Sequence, residues 1–327
     1  MLPGILFVTV ACSLWGLIFV MPFFMQDLSS AAVIAARYYF YGLFSLALAC
    51  LSGFSFRRHL SRKILLKAFA FALFAQLGYY LCIVLSVRFA TGAITTMVMG
   101  TAPITIAVYG QWSHPNRSFK PLILPSIVIL GGLLLVNLHT VFHTAAQQTL
   151  AEYLFGLACS LMALTAWTWY AVDSAKLLKS NPQITPANWS TLVGLCTLFW
   201  VVLGTLAYLL GTQDTQFVEQ LWAFDELSHT FMLGGFILGV ICSLCGFILW
   251  NKGCALIPVS LAGQFFTTQT LFGLTYVFLI ENRLPSGVEA IGMALMFSGV
   301  LISLNTFKRQ REASANLTSN ELSPAKS

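Results

Sequence analysis

Ten stretches of about 20 predominantly apolar residues, separated mostly by short polar links, constrain this chain more than any other feature. An α-helix of about 20 residues matches the roughly 30 Å hydrocarbon core of a bilayer and satisfies its own backbone hydrogen bonds. The pattern therefore predicts an all-α membrane protein with ten transmembrane helices. They are expected at about 3–25, 31–52, 66–88, 91–112, 121–139, 152–173, 188–210, 229–250, 256–280 and 286–306.

The composition supports contact with lipid. Hydrophobic residues make up 58% of the 327 residues and charged residues only 9%, against about 25% charged residues in soluble domains. Too little charge is present to cover a soluble surface, so membrane lipid is the expected partner of the excess apolar side chains. The net charge of +6 is spread in short clusters, which form no basic face for nucleic acid, so no nucleic-acid partner is expected.

The positions of Lys and Arg predict that both chain ends are cytoplasmic, in a multi-pass protein of a bacterial-type inner (plasma) membrane. Cytoplasmic loops carry an excess of these residues. With the N-terminus inside, the outer loops 140–151 and 211–228 contain neither residue type, and a polar, disordered tail at 307–327 lies inside. In this arrangement 14 of the 17 Lys and Arg residues are cytoplasmic: Arg57, Arg58, Arg62, Lys63, Lys67, Arg117, Lys120, Lys176, Lys179, Lys252, Lys308, Arg309, Arg311 and Lys326.

The two halves of the chain resemble each other. Trp15 in the first stretch has a counterpart in Trp167 of the sixth, and a shift of 166 residues places Thr101 on Thr267. Because five helices per half is an odd number, the second half must be inverted relative to the first. Inverted repeats are typical of secondary transporters, which bind solute between the repeats near the midplane. The predicted organisation is a first repeat at 1–139, an external loop at 140–151, a second repeat at 152–306 and the tail.

Polar and aromatic side chains within the apolar stretches are the candidate solute-binding residues. Polar groups in a membrane are costly unless they face the protein interior or water. Tyr79 and Tyr80 would stack on a planar solute or hydrogen-bond it, and Gln76 shares their helix face. The alternative role for each candidate is helix packing. The candidate set is Trp15, Gln76, Tyr79, Tyr80, Thr101, Trp167, Tyr170 and Gln264.

Proline and small residues suggest where helices bend and where they meet. Pro22 and Pro103 are predicted hinges, because proline removes a backbone donor and kinks a helix; a static kink is the alternative. Gly235 and Gly239 form a GxxxG pair expected to pack internally. A second pattern, small residues at every fourth position, predicts internal packing or a homodimer seam at Ala290, Ala294 and Ser298.

No acidic or basic side chain is expected at the centre of a helix. Arg37, Asp173 and Glu289 lie near helix ends, from which they would reach an interface. The histidines flank the apolar stretches, and the chain has no P-loop, HExxH or GxSxG motif. The sequence therefore predicts a protein that is not an enzyme, with no catalytic residue, no metal and no cofactor.

The side-chain chemistry favours a small neutral or zwitterionic solute. A carrier of sugar phosphates or nucleotide sugars is the alternative within the same class. It is disfavoured, because these anionic solutes would require a central cation. An intramembrane enzyme acting on lipid is the alternative from another class. It would need clustered acidic groups at one membrane face, and the available cluster is interpreted as a solvated loop: Asp214, Glu219, Asp225 and Glu226.

Over nearly its whole length the chain resembles the EamA-type drug/metabolite transporter superfamily. The residues that carry the resemblance, by their order and spacing together, are Leu14-Trp15-Gly16, Arg37, Gly100-Thr101-Ala102-Pro103, Glu281 and Gly299. The resemblance implies a secondary transporter that works by alternating access.

A narrower resemblance, to the YddG-like branch, implies export of amino acids and related metabolites. It is carried by Ala166-Trp167-Thr168-Trp169-Tyr170-Ala171, Trp189-Ser190-Thr191-Leu192, Ala262-Gly263-Gln264 and Glu281-Asn282-Arg283-Leu284-Pro285. The chain departs from the family pattern in two places. His114-Pro115-Asn116 stands where an acidic residue is common, and Gln269 stands where many relatives have proline. These departures leave the identity of the solute open.

Overall fold

The protein is helical throughout the part of the chain that the structure describes. The computed structural model describes the backbone of residues 1–54, 57–58, 60–112, 120–144, 149–212 and 226–321. Within these ranges every regular element is a helix and no β-strand is present. The prediction of an all-α chain is confirmed for these residues. The motif His114-Pro115-Asn116 and most of the loop 211–228 lie outside them.

The α-helices are numbered in chain order. Two π-helical segments, Phe71–Gly78 and Phe236–Cys245, join α4 to α5 and α11 to α12 as continuous rods, and a 3₁₀ turn follows α1 at Leu17–Phe19. The α-helices are α1 (Leu2–Gly16), α2 (Met21–Phe24), α3 (Ser30–Leu51), α4 (Arg62–Ala70), α5 (Tyr79–Ala90), α6 (Gly92–Met99), α7 (Ala102–Trp112), α8 (Lys120–Thr144), α9 (Leu150–Ser180), α10 (Pro186–Thr212), α11 (Glu226–Gly235), α12 (Gly246–Leu256), α13 (Val259–Phe266), α14 (Thr268–Ile280) and α15 (Gly287–Glu321).

Seven helical segments of the described chain are long and apolar enough to cross a membrane. Two shorter apolar helices cover Ile94–Gly110 and Leu122–Asn137. The chain is therefore a multi-pass membrane protein, while the count of ten spans stays a prediction. The seven long segments are Leu2–Phe19, Ala31–Leu51, Arg62–Ala90, Leu150–Ser180, Pro186–Gly211, Glu226–Leu256 and Gly287–Arg309.

The distribution of side chains is the reverse of that in a soluble protein. Leu6, Phe74 and Met162 are each about 60% exposed on the outside of the bundle, whereas Asn251 and Gln264 are completely buried. Apolar side chains on the outer surface are stable in contact with lipid, and buried polar groups require partners inside the bundle. The interior is therefore the place to look for the functional site.

Glycines allow close contacts between helices. Gly239 of the π segment faces the backbone of α3 at Arg37 and Tyr41, and Gly235 faces Phe40. This GxxxG pair packs internally, as predicted. The stripe of small residues on α15 is instead exposed, so the homodimer seam stays a prediction; it consists of Ala290, Ala294 and Ser298.

The two halves of the chain deviate from regular α-helix at equivalent places. α6 and α7 are separated at Gly100 and Thr101, and α13 and α14 are separated at Thr267, which is the position that the 166-residue shift pairs with Thr101. The two π segments are related by nearly the same shift. Because π segments are rare and often mark functional positions, this correspondence points to the helices that carry them. The division into two inverted repeats stays a prediction.

The predicted hinge prolines both lie in the first turn of a helix. Pro103 is the second residue of α7, directly after the break, and Pro22 occupies the equivalent place in α2. The missing proline N–H costs little in a first turn, where no intrahelical acceptor is available. Both prolines therefore mark places where a helix restarts, and a hinge role stays a prediction.

The C-terminal tail differs from the sequence-based expectation. α15 continues to Glu321 and so includes most of 307–327, which was expected to be disordered. The segment after Phe307 contains Lys, Arg, Gln, Glu and Ala, which are strong helix formers. Polarity alone therefore does not separate an exposed helix from a disordered tail.

Candidate functional site

An aromatic cluster occupies the space between α1, α9, α12 and α13. The ring centroid of Trp167 lies 5.2 Å from that of Trp15, 5.5 Å from that of Trp250 and 4.8 Å from that of Phe266. Phe247 completes the cluster at 5.5 Å from Trp15. All five side chains are at least about 90% buried. The structure thus brings together Trp15 and Trp167, the two tryptophans that the sequence predicted as counterparts.

Backbone carbonyls of both π segments accept hydrogen bonds from aromatic side chains. The Trp15 Nε1–H donates to the Cys242 carbonyl at 2.8 Å. The Tyr38 hydroxyl donates to the Gln76 carbonyl, also at 2.8 Å. Gln76 and Cys242 are themselves related by the 166-residue shift. A π segment loosens the regular i→i−4 hydrogen bonding of a helix, so its carbonyls are available to neighbouring helices.

Several buried hydrogen-bond donors at this site have no partner among the described residues. They are the indole Nε1–H groups of Trp167 and Trp250 and the amide Nε2 of Gln76. Buried polar groups in folded proteins are nearly always paired, and each exception calls for an explanation. A bound solute that supplies acceptors would satisfy these donors.

Tyr170 joins the aromatic cluster to a buried polar contact. Its ring is stacked 5.9 Å from Trp167. Its hydroxyl accepts a hydrogen bond from the Asn251 Nδ2 at 3.0 Å, and the same amide nitrogen donates to Ser190 Oγ at 3.0 Å. The Asn251 Oδ1 atom has no partner among the described residues. This contact ties α9, α10 and α12 together next to the cluster.

Tyr79 and Tyr80 are half-buried and point to different neighbours. Tyr79 lies 6.1 Å from Trp167, at the edge of the aromatic cluster. Tyr80 lies 6.2 Å from Tyr38, and the guanidinium carbon of Arg37 sits 4.7 Å above its ring. The two tyrosines and Gln76 therefore line a region continuous with the cluster on the α4–α5 rod.

Arg37 lies inside the bundle, which differs from its expected position at an interface. It was expected to reach a membrane interface, but it is only 4% exposed and its Nε donates to Ser243 Oγ at 3.0 Å. The expected exposure of Arg37 at an interface was wrong, because position along a helix does not reveal which face is covered by other helices. The available signal was Gly239, since a GxxxG glycine permits close approach of the helix that carries Arg37.

Thr101 and Gln264 are not part of the aromatic cluster. The Thr101 hydroxyl donates to the Val98 carbonyl at 2.7 Å and so stabilises the break between α6 and α7. The Gln264 Nε2 donates to Ser126 of α8 at 3.2 Å, and its Oε1 is unpartnered among the described residues. Both residues face the protein, but their side chains are engaged with other contacts.

A cavity of about 490 Å³ lies between α7 and α9, and none of the predicted candidate residues lines it. Its lining is mostly apolar and includes Val108 and Trp169. The Thr105 and Thr168 hydroxyls, which are 2.7 Å apart, bind each other rather than an outside group. A mostly apolar lining without free polar partners suits an apolar group better than a polar solute. We therefore place the candidate site at the buried cluster, where the unpartnered donors are.

An ionic contact links three helices near the C-terminal end of α9. Lys67 Nζ lies 2.8 Å from Asp173 Oδ2, and Lys176 Nζ lies 3.6 Å from Oδ1. The Tyr109 hydroxyl donates to the same carboxylate at 3.2 Å. α4, α7 and α9 thereby meet at one charged point. Asp173 has the partners that a carboxylate at a helix end requires.

The helices expose apolar side chains on the outside of the bundle and enclose a buried cluster with unpartnered donors. The EamA-like transporter family matches residues 154–305. The inner membrane protein YtfF of Escherichia coli (strain K12) is 30% identical over 310 residues, which cover 93% of this chain and 95% of YtfF. The chain belongs to the EamA-like family of drug/metabolite transporters, and it is a multi-pass inner-membrane protein.

A solved crystal structure of another protein shares the fold. Its TM-score is 0.72 at 16% sequence identity, and the match covers 94% of this chain and 98% of that one. At this identity the likeness shows the fold alone. The match to the EamA-like family and to YtfF confirms the superfamily resemblance found in the sequence, whereas the narrower resemblance to the YddG-like branch stays a prediction.

Proposed function

We propose that this transporter exports small neutral or zwitterionic organic solutes, such as amino acids and related metabolites, by alternating access. The observation that carries the proposal is the aromatic cluster with its unpartnered donors at Trp167, Trp250 and Gln76. Aromatic side chains offer flat apolar surface, and indole and amide N–H groups bind solute oxygens. Export as the direction follows from the resemblance to the YddG-like branch.

The closed packing of the cluster supports alternating access. Trp15 and Trp167 are each only 3% exposed, so solute would reach them only after the helices around them separate. The helix breaks near Thr101 and Thr267 and the two π segments are local irregularities at which the rods would bend. In this proposal Pro22 and Pro103 begin the helical pieces that move.

Uptake measurements on purified protein test the proposed solute class. Proteoliposomes preloaded with unlabelled solute are expected to accumulate the same labelled solute by counterflow. We expect this for at least one aromatic or aliphatic amino acid, and not for a hexose phosphate or a nucleotide sugar. Tyr80→Ala should reduce the rate several-fold, while Trp200→Ala should not, because the indole of Trp200 contacts Phe69 outside the cluster. Counterflow of sugar phosphate without any amino acid would overturn the proposal.

The proposed topology has ten spans, in two inverted repeats, with both ends cytoplasmic. Its support is the charge asymmetry of the loops, since 140–151 and 211–228 contain no Lys or Arg. Alkaline phosphatase, which is active only outside the cytoplasm, would report each location. Fusions in these two loops are expected to be active, and fusions at both chain ends inactive. Ends on opposite sides of the membrane would rule out an even number of spans.

A further inference from the structure

We infer that Arg37 binds the carboxylate of the transported solute, so that the solutes are amino acids or other organic monoanions and zwitterions. The inference rests on the proposed function and deepens it. It starts from one unusual feature: Arg37 is only 4% exposed, and its guanidinium has no counter-ion among the described residues. Among the described residues Arg37 is the only Lys or Arg that is buried.

The surroundings of Arg37 stabilise its charge incompletely. One hydrogen bond, from Nε to Ser243 Oγ, is the only one that the described residues give its guanidinium. Its carbon lies 4.7 Å from the ring of Tyr80 and 5.5 Å from that of Tyr38. The ion pairs in the described part of the chain all involve other cations. Burying a charge is costly unless it is paired, so an anionic partner from outside the chain would be strongly favoured.

The neighbouring polar groups also favour an anion. The Tyr38 hydroxyl is occupied with the Gln76 carbonyl, and the Ser243 hydroxyl donates to Leu238 O at 2.9 Å. Gln76, which is 1% exposed, keeps its Nε2 donor free of any partner among the described residues. The site therefore offers a forked cation and an amide donor. A carboxylate has two acceptor oxygens in the geometry that a guanidinium fork matches.

The number of charges distinguishes a carboxylate from a phosphate. A sugar phosphate or nucleotide sugar carries two negative charges, and one buried guanidinium would neutralise only half of them. The described part of the bundle interior provides no second buried cation. The adjacent aromatic cluster, reached through Tyr79, would accommodate the apolar part of an amino acid. A monoanionic or zwitterionic solute fits this arrangement best.

A purely structural role is the competing explanation. Arg37 contacts two tyrosine rings, and cation–π contacts alone stabilise some buried arginines. The two roles make different predictions. A structural Arg37 would affect all solutes equally when it is replaced, whereas a carboxylate-binding Arg37 would affect only solutes that carry a carboxylate.

Paired ligands separate these explanations. We would measure how unlabelled phenylalanine and phenylalaninamide, which differ only at the carboxyl group, compete with the labelled solute in counterflow. The wild-type protein is expected to bind phenylalanine at least tenfold more tightly than its amide, as is usual for a buried charge-assisted hydrogen bond. In Arg37→Gln this preference should fall to within about twofold. Arg88→Gln is the matched control, because Arg88 is exposed and also contacts an aromatic ring, that of Phe89.

The results for Arg37→Gln decide between carboxylate binding and a purely structural role. Arg37→Gln protein that still transports and still prefers phenylalanine would overturn the inference, and so would an equal loss of both ligands with a lowered melting temperature. If Arg37→Gln does not fold, Arg37→Lys replaces it. That variant keeps the charge but not the fork, and a preference at least fivefold weaker than wild type is expected; an unchanged preference would overturn the inference.

A wrong solute class can be distinguished from a wrong role for Arg37. If the wild-type protein transports no amino acid, the solute class is wrong, and thermal stabilisation then tests Arg37 by itself. Phenylacetate, but not phenylacetamide, should raise the melting temperature of the purified wild-type protein and leave that of Arg37→Gln unchanged. Equal effects of the two compounds on the wild-type protein would refute the carboxylate subsite.

Discussion

Replacing Gly132 with alanine is expected to destabilise the folded transporter severely, whereas the same replacement at its neighbour Gly131 should be tolerated. A Cβ atom at Gly132 would meet the carbonyl oxygen of Gly292 and would lie 2.8 Å from the backbone nitrogen of Met296. Both are backbone atoms of α15, which cannot move aside as a flexible side chain does. A Cβ atom at Gly131 meets nothing within 4 Å.

The expected cost of Gly132→Ala is about 3 kcal/mol or more, the upper range for overpacking, because the helices themselves must separate. Thermal melting in detergent and the yield of monodisperse protein on size-exclusion chromatography measure it. Gly131→Ala controls for helix propensity and lipid contact, since it adds the same methyl group to the same helix. Equal melting temperatures for the two variants would show that α8 and α15 do not pack through Gly132.

The α8–α15 contact also shows which part of the packing the sequence could not decide. The pattern of small residues identified Ala290, Ala294 and Ser298 on α15, but the structure packs α8 against Gly292 and Gly299. Both sets have helical spacing, so periodicity alone does not say which set faces inward. The partner helix α8 determines which face of α15 is buried, because Gly132 permits closest approach only where α15 also lacks a side chain.

The helix positions were predictable because the bilayer fixes the length of each apolar stretch. The expected span 31–52 corresponds to α3 at Ser30–Leu51, and 188–210 corresponds to α10 at Pro186–Thr212. The π segments and the break at Thr267 were not predictable in this way. They depend on hydrogen bonds to other helices, such as that of Trp15 to the Cys242 carbonyl, and a local sequence pattern contains no such information.

The candidate site was predicted in part. A tryptophan in the middle of a span is unlike the interface tryptophans of membrane proteins. This signal selected Trp15 and Trp167, whose rings are in contact, while their role in solute binding stays a prediction. Trp250 was not in the predicted candidate set, and Arg37 was expected at an interface. Their burial arises from tertiary contacts between α3, α12 and the π segments, which only the folded bundle specifies.

Trp167→Ala is expected to reduce transport more than tenfold and to lower the stability of the protein by roughly 3–5 kcal/mol, the usual cost of truncating a buried tryptophan. Its ring contacts Trp15, Trp250 and Phe266, so removing it opens a cavity at the centre of the cluster. Loss of activity in this variant alone does not separate solute binding from packing. Counterflow rates, normalised to the amount of folded protein, measure the effect on transport apart from the loss of folded protein.

Trp167→Phe distinguishes solute binding from packing, because the Trp167 Nε1–H has no acceptor among the described residues. Trp167→Phe keeps an aromatic ring and loses a donor that the described part of the protein does not use, so its stability should fall only by the packing cost of the smaller ring. If the solute accepts from this donor, half-saturation should require a several-fold higher solute concentration.

Trp15→Phe is the matched control, since its Nε1–H donates to the Cys242 carbonyl within the protein. Losing that hydrogen bond should cost about 1 kcal/mol of stability without the same change in half-saturation. An unchanged half-saturation for Trp167→Phe would mean that Trp167 only packs. The solute would then have to bind elsewhere, and the Trp167 donor would need another partner, such as a buried water molecule.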